Sequence, residues 1–239
     1  MEKEEKKDIT IADVAEALGV SKTTVSRAIS GKGRIGKETR KRVLEYIEEH
    51  DYKPNAIATG LAQSKTYNIC VVMPRDYEVV DWNFFQRCLF GIQEMAETVG
   101  YDILLTMCQM NDISSLERIV ANHKVDGVIL MRTFLEDAQI EFLQQKNIPF
   151  VTTGSTNYEG VFQIDHNHRS ACKELTSIIL MKNLKRIALI GEDEGYMVTH
   201  SRLLGFRDAY EQQGETLDEN LLYLSPENRV RVDRTVEEI

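Results

Sequence analysis

The sequence predicts an N-terminal all-α module of short helices, followed by an α/β body wound on parallel sheet. Up to Ser64 the apolar residues recur at helical spacing, with glycines between the segments. After Thr66 continuous apolar runs of strand length, the first being ICVVM (Ile69 to Met73), alternate with amphipathic helical stretches. Charge divides at the same place. Val20 to Leu44 carries eight basic residues against one acid, whereas Thr66 to the end carries 16 basic against 27 acidic. The overall charge of −9 therefore hides a segment able to attract phosphates.

In chain order, residues 1–8 (MEKEEKKD) read as a disordered charged tail without the apolar stretch of a secretory leader. Thr10 can cap a first helix, with Asp13 three residues on and Val14, Ala15 and Leu18 as its stripe. Gly19 breaks it. Ser21 caps a second helix that turns Val25, Ala28 and Ile29 inward. Gly31 and Gly33 mark a loop, and a third helix is expected from about Lys37 to His50, with Val43, Leu44 and Ile47 on one face. Two helices joined by a tight glycine turn, supported by a third, make a helix-turn-helix over residues 9–53. Lys53–Pro54 stops the third helix, and Asn55 to Ser64, within a linker over 54–66, is too short to be a stable helix alone.

In the body, strands are expected at Ile69–Met73, Tyr101–Met107, Val128–Met131, Pro149–Thr152 and Arg186–Ile190. Helices are expected near Phe84–Val99, Ser114–Asn122, Asp137–Gln145, Arg169–Met181 and Arg202–Gln213. On the first of these, Phe85, Leu89, Ile92, Met95, Ala96 and Val99 fall on one side. The alternation implies a parallel sheet covered on both faces, divided into subdomains at 67–164 and 165–239. The four cysteines lack metal-ligand spacing, and buried reduced thiols are expected. No apolar run approaches the roughly 18 residues a bilayer requires, so no membrane partner and a cytoplasmic location are expected. P-loop, GxGxxG, HExxH and nucleophile-elbow motifs are all absent, and catalysis, cofactor and metal are not expected. The one pair at ligand spacing, His166 and His168, reads as ordinary polar residues of a crossover.

Three blocks in order, DVAEALGVSKTTVSRAI (Asp13 to Ile29), TRKRV (Thr39 to Val43) and YKPNAIATGLA (Tyr52 to Ala62), resemble the DNA-binding headpiece of the lactose-repressor/galactose-repressor family. The body, through DGVIL (Asp126 to Leu130), IPFV (Ile148 to Val151), RIALIG (Arg186 to Gly191) and SRLLGF (Ser201 to Phe206), is similar to type I periplasmic sugar-binding proteins. The resemblance implies a sequence-specific transcriptional regulator, commonly a repressor, binding a pseudo-palindromic double-stranded DNA operator as a homodimer. It implies that a small effector, commonly a sugar or sugar phosphate, binds between two doubly wound α/β subdomains. An exported sugar-binding protein shares that body but would carry a signal peptide and no helix-turn-helix.

By this resemblance Lys22, Thr23 and Arg27 are candidate base readers in the major groove, Lys and Arg suiting guanine O6 and N7. Thr10, Ser21, Thr24, Ser30, Thr39 and Asn55 are candidate phosphate anchors, which orient without specifying. Thr10 and Ser21 are expected to cap helices as well. Asn55 to Ser64 matches the family's hinge helix, which folds when two copies meet on an operator, and Leu61 matches its minor-groove wedge. Gly60 departs from a good helix former, implying a hinge that is harder to order. Effector candidates are Asp76, Trp82, Asn83 and Phe84 after the first strand, Thr133 after the third, Asp165 at the crossover, and above all Arg202. About 75 residues follow Asp165, fewer than the 100 or so a comparable α/β half needs, so the second subdomain is expected to be incomplete and the chain truncated. Arg229, Arg231 and Arg234 offer no substitute for the family's later ligand residues. A chain that binds DNA without sensing effector, or that dimerises weakly, is the alternative reading.

Overall fold

The computed structural model describes residues 9–31, 33–75, 79–184, 186–224 and 236, the side chains of 56, 57, 62 and 79–82 excepted. Asp76, the Trp82 side chain and the arginines of 229–234 lie outside these. The chain divides into two compact units, Met1–Lys65 and Thr66–Ile239.

The first unit holds α1 (Ile11–Leu18), α2 (Lys22–Ser30), α3 (Lys37–Glu49) and α4 (Ala56–Gln63). Thr10 opens α1 with a reciprocal capping box. Its Oγ1 accepts from Asp13 N, and its own backbone N donates to Asp13 Oδ2 at 2.8 Å. Gly19 closes α1 at φ 65°, with open space around the site of a Cβ, so the requirement for glycine there is conformational. Ser21 caps α2 by accepting from Thr24 N at 3.1 Å. Val14, Ala15, Val25, Ala28, Val43 and Tyr52 make one small core. The expected inward position of Leu44 is corrected: that side chain is exposed, because Tyr46 and Ile47 complete the α3 stripe behind Val43.

The second unit opens where Asp126 clamps the incoming chain. Its carboxylate accepts from Thr66 N and Oγ1 and from Tyr67 N. Then follow β1 (Asn68–Pro74), α5 (Val79–Thr98), β2 (Asp102–Cys108), α6 (Ser114–Ala121), β3 (Gly127–Leu130), α7 (Ala138–Gln145), β4 (Phe150–Thr153) and β5 (Phe162–Ile164). These strands form a parallel sheet in the order β2-β1-β3-β4-β5. The chain reverses its direction of growth between β1 and β3, so a topological switch point lies there. Alternate residues of β1 face opposite covers. Cys70 and Val72 pack with Leu116, Ile119, Ile140 and Leu143 of α6 and α7, whereas Val71 and Met73 pack with Phe85 of α5.

A second, two-stranded parallel sheet pairs β6 (Leu189–Gly191) with β7 (Leu222–Leu224). Packed against it are α8 (His168–Met181) and α9 (Met197–Gln213), burying Leu180, Phe206, Ala209 and Tyr210. The α8 and α9 backbones approach closely at Gly205, where a Cβ would run into the carbonyl group of Arg169.

Several sequence expectations are corrected. α5 begins at Val79 and α9 at Met197, each five residues earlier than expected; Tyr196 before α9 makes no side-chain capping hydrogen bond, so no capping residue marks that start. β6 is three residues long, and β5 and β7 were not anticipated; all three are too short for periodicity to report. Among the described side chains of α5 Phe85 and Ala96 are buried, while Met95, and Val99 just after the helix, are exposed. All four cysteines are free thiols, with Cys70 and Cys108 buried and Cys88 and Cys172 half-buried. Burial pushes the Cys70 thiol up to about 12, Cys108 adding to the effect. Among the described residues no helix is long and apolar enough to cross a membrane.

Candidate nucleic-acid interface and effector site

On α2 the buried Val25 and Ala28 turn one face to the core, which leaves Thr23, Arg27 and Ser30 on the opposite face and Lys22 in the first turn. All four are exposed. The Arg27 stem crosses Gly33, where a Cβ would meet Arg27 Cδ at 3.2 Å; φ there is +90°. Glycine thus gives the arginine a flat bed that steadies its guanidinium. Further basic residues lie on α3. Arg40 reaches over Gly31, Arg42 Nη2 donates to Leu18 O at 3.4 Å at the end of α1, and Lys41 forms an exposed pair with Glu45.

Of the phosphate-anchor candidates, Thr10 and Ser21 cap helices, and Ser21 Oγ lies 2.9 Å from Thr24 Oγ1 in a shared hydrogen bond. Thr39 is half-buried beside the Gly36 cap of α3. Asn55 caps α4, its Oδ1 accepting from Ala58 N at 3.1 Å. Leu61 is 83% exposed, the barest large apolar side chain on the described surface.

Gly60 has a role that helix propensity does not show. Lys65 N donates to Gly60 O at 2.9 Å, and a Cβ on Gly60 would lie 2.5 Å from Lys65 O. The chain leaving α4 folds back against this glycine. Propensity alone would have Gly60→Ala strengthen the hinge by about 1 kcal/mol. The contact reverses the sign: Gly60→Ala is expected to weaken operator binding, measured by titrating a labelled duplex. Tighter binding would mean that propensity governs.

In the second unit Thr133 follows β3 and Asp165 follows β5, both beyond the C-terminal ends of the five-stranded sheet, whereas Arg202 lies within α9. Thr133 is buried; its hydroxyl donates to Ser155 O at 2.7 Å, and its carbonyl accepts from Met197 N at 3.1 Å. Ser155 N in turn donates to Asp165 Oδ2 at 2.7 Å. Asp165 Oδ1 accepts from His166 N at 2.7 Å and lies 3.1 Å from His168 Nε2. Thr133 and Asp165 are thus joined in one polar chain, running from the start of α9 to the start of α8. Arg202 is exposed and acts electrostatically on His168 and on Cys172. Asn83 and Phe84 are exposed at the start of α5, with Phe84 edge-on to the buried Phe85. Sequence reasoning missed Ser155, His168, Arg132 and Tyr196. Arg132 Cζ stands 5.5 Å from the Phe85 ring centroid and 4.6 Å from that of Tyr196. A cation beside two aromatics far apart in sequence leaves no periodic signal. Among the described residues no group of His, Cys, Asp or Glu is placed to hold a metal ion.

Burial, with the charges of Arg202 and His166, holds the His168 imidazole below its ordinary value of 6.5, against the pull of Asp165. The folded chain therefore binds fewer protons at this position than the unfolded chain, and stability rises with pH through the window up to 6.5. The melting temperature is expected to fall on acidification through that window. His168→Asn should flatten the slope.

The matches to known proteins cover both units. Residues 10–55 match the family of bacterial regulatory proteins, lacI family. Residues 66–232 match the periplasmic binding proteins and sugar binding domain of the LacI family. The transcriptional regulator MalR of Streptococcus pneumoniae is 32% identical over 222 residues, which is 92% of this chain and 68% of that protein. Catabolite control protein A of Staphylococcus xylosus is 30% identical over 219 residues, 90% of this chain and 65% of that protein. The solved lac repressor dimer bound to operator and an anti-inducer is similar with a TM-score of 0.70 at 21% identity, over 92% of this chain and 66% of that one. A CelR–cellobiose complex is similar with a TM-score of 0.57 at 24% identity, over 90% and 65%. This chain spans about two thirds of the length of these proteins.

Proposed function

Since the chain belongs to the lacI family of bacterial regulatory proteins, which are DNA-binding transcriptional regulators, we propose that it represses transcription in the cytoplasm by binding a pseudo-palindromic operator as a homodimer. The observation that carries this reading is the outer face of α2. Thr23 and Arg27 stand one turn apart on a helix locked at both ends by Ser21 and Gly31, with Lys22 beside them. Arg27 and Lys22 read guanine edges and Thr23 a neighbouring base, while Thr10, Ser21, Thr24, Ser30, Thr39 and Asn55 face phosphates. The caps at Thr10, Ser21 and Asn55 support this double role, since a capping hydroxyl or amide at a helix N-terminus lies where backbone N–H groups also attract phosphate. Leu61 enters the minor groove.

The body modulates this binding through a small carbohydrate effector, held at the sheet's C-terminal ends by Arg202 with Asn83 and Phe84. Asp76 and Trp82, close to Asn83 and Phe84 in sequence, complete the candidate set. Thr133 and Asp165 support the site through the chain they form with Ser155.

Selection from a randomised palindromic duplex pool at two salt concentrations tests the reading. Enrichment of a palindrome with a steep salt dependence is the expected result. Binding without sequence preference would overturn the dimeric, sequence-specific reading.

A further inference from the structure

The loop between α2 and α3 is tied down near both ends. At its start Gly31 closes α2, its backbone N donating to Arg27 O at 3.0 Å. Arg40 of α3 lies across that glycine, its Nη2 3.2 Å from where a Cβ would stand. Near the other end Ile35 packs against the core of Val14, Val25 and Val43.

Between these ties Gly33 takes φ +90°. Three consecutive atoms of the Arg27 side chain run past it. A Cβ on Gly33 would stand 3.5 Å from Arg27 Cγ, 3.2 Å from Cδ and 3.3 Å from Nε. Something would have to give, and the exposed end of a flexible arginine yields before a loop held on both sides. One substitution therefore has two separate consequences. Strain at positive φ lowers the stability of the first unit, whereas the added Cβ displaces the atoms from which the guanidinium plane extends. A bidentate contact with a base edge needs that planar fork in one orientation, so the displacement is felt in base choice.

We propose that Gly33, which offers no side-chain group to a base, sets the base preference of the reader by holding Arg27 in place. It is a positioning residue. This rests on the reading of Arg27 as a base contact. Lys22 and Thr23 open α2 at least one turn before Arg27, so the effect of Gly33 is confined to the base pair that Arg27 reads.

The test titrates the full chain against its selected operator and against duplexes with each base pair of one half-site changed in turn, at fixed salt. The pair at which Arg27→Ala loses discrimination is the one Arg27 reads. There Gly33→Ala is expected to reduce discrimination about tenfold, within the range of one bidentate arginine–guanine contact, and to leave the other pairs as they were. In an Arg27→Ala background Gly33→Ala should change nothing further at that pair. Gly33→Asn separates position from strain, because asparagine tolerates positive φ yet still carries a Cβ. Discrimination at that pair should stay reduced in this variant even where the melting temperature recovers. An equal loss at every pair, or recovery of discrimination in Gly33→Asn, would mean that Gly33 serves the loop alone and would overturn the proposal. So would intact discrimination in Gly33→Ala where Arg27→Ala loses it, an outcome that leaves Arg27 as a base reader. If the wild type discriminates at no pair, or Arg27→Ala alters none, the base-reading role of Arg27 falls and this inference with it.

Discussion

Leu61→Ala is expected to lower operator affinity by one to two orders of magnitude and to leave the melting temperature unchanged. The two halves of this expectation have separate grounds. A side chain that is 83% exposed has almost no buried apolar area to lose, so its truncation removes nothing from the folded chain. Alanine is also a better helix former than leucine, so α4 does not suffer. On the proposed reading the same side chain is inserted between base steps of the operator, where it would support a bend that brings further protein surface onto the duplex. Losing that support is worth roughly 2 kcal/mol or more. Titration of the selected operator, with a thermal melt on the same sample, checks both halves. Intact affinity would remove Leu61 from the interface; a lowered melt would mean it packs inside the protein.

Gly205→Ala is expected to destabilise the second unit by about 3 kcal/mol or more, through overpacking. Many glycines can be replaced at small cost because a neighbouring side chain moves aside. Here the obstacle is the backbone carbonyl group of Arg169 in the first turn of α8, and only separation of the two helices would relieve the clash. Separation would open the core of Leu180, Phe206, Ala209 and Tyr210 and strain the ion pair between Arg169 Nε and Asp208 Oδ2 at 2.6 Å. For a domain of this size the melting temperature should drop by about 10 °C. An unchanged melt would show that α8 and α9 are not in contact at this point. The expected destabilisation concerns the body alone, and base preference in the first unit should persist at low temperature.

The helix-turn-helix was the most legible part of the sequence. Its capping residues, glycine stops and inward stripe are local signals, and Thr10, Gly19, Ser21 and Gly31 stand in the structure where local rules put them. The longer strands were legible because β1 and β3 each have a strand on either side and carry unbroken apolar runs, Ile69–Pro74 and Gly127–Leu130. What escaped was non-local. β5 is an edge strand whose three residues are all exposed, and β7 is recognisable only beside β6. The start of α9 was misplaced because Tyr196 before it makes no side-chain capping hydrogen bond and so gives no local signal. At the effector site the individual polar residues were visible, but their partners were not. Thr133 and Asp165 gave no sign of meeting through Ser155, and Arg132 looked like a charge after a strand until Phe85 and Tyr196 flanked it.

The two units also differ in how far apart in the chain their contacts lie, and this orders their formation in time. The core of the first unit closes between Val14 and Tyr52, through helix pairs that are neighbours in sequence. In the second, β1 must wait for β3: Ile69 pairs with Gly127, and that sheet is complete only when β5 has arrived. Contacts of low sequence separation form fastest, and parallel pairings across long loops form late. As the nascent chain emerges, the DNA reader therefore becomes structured while the sensing body is still being made. Of the two units the reader is the first able to meet DNA, and on the proposed reading effector control follows only once the body has been made.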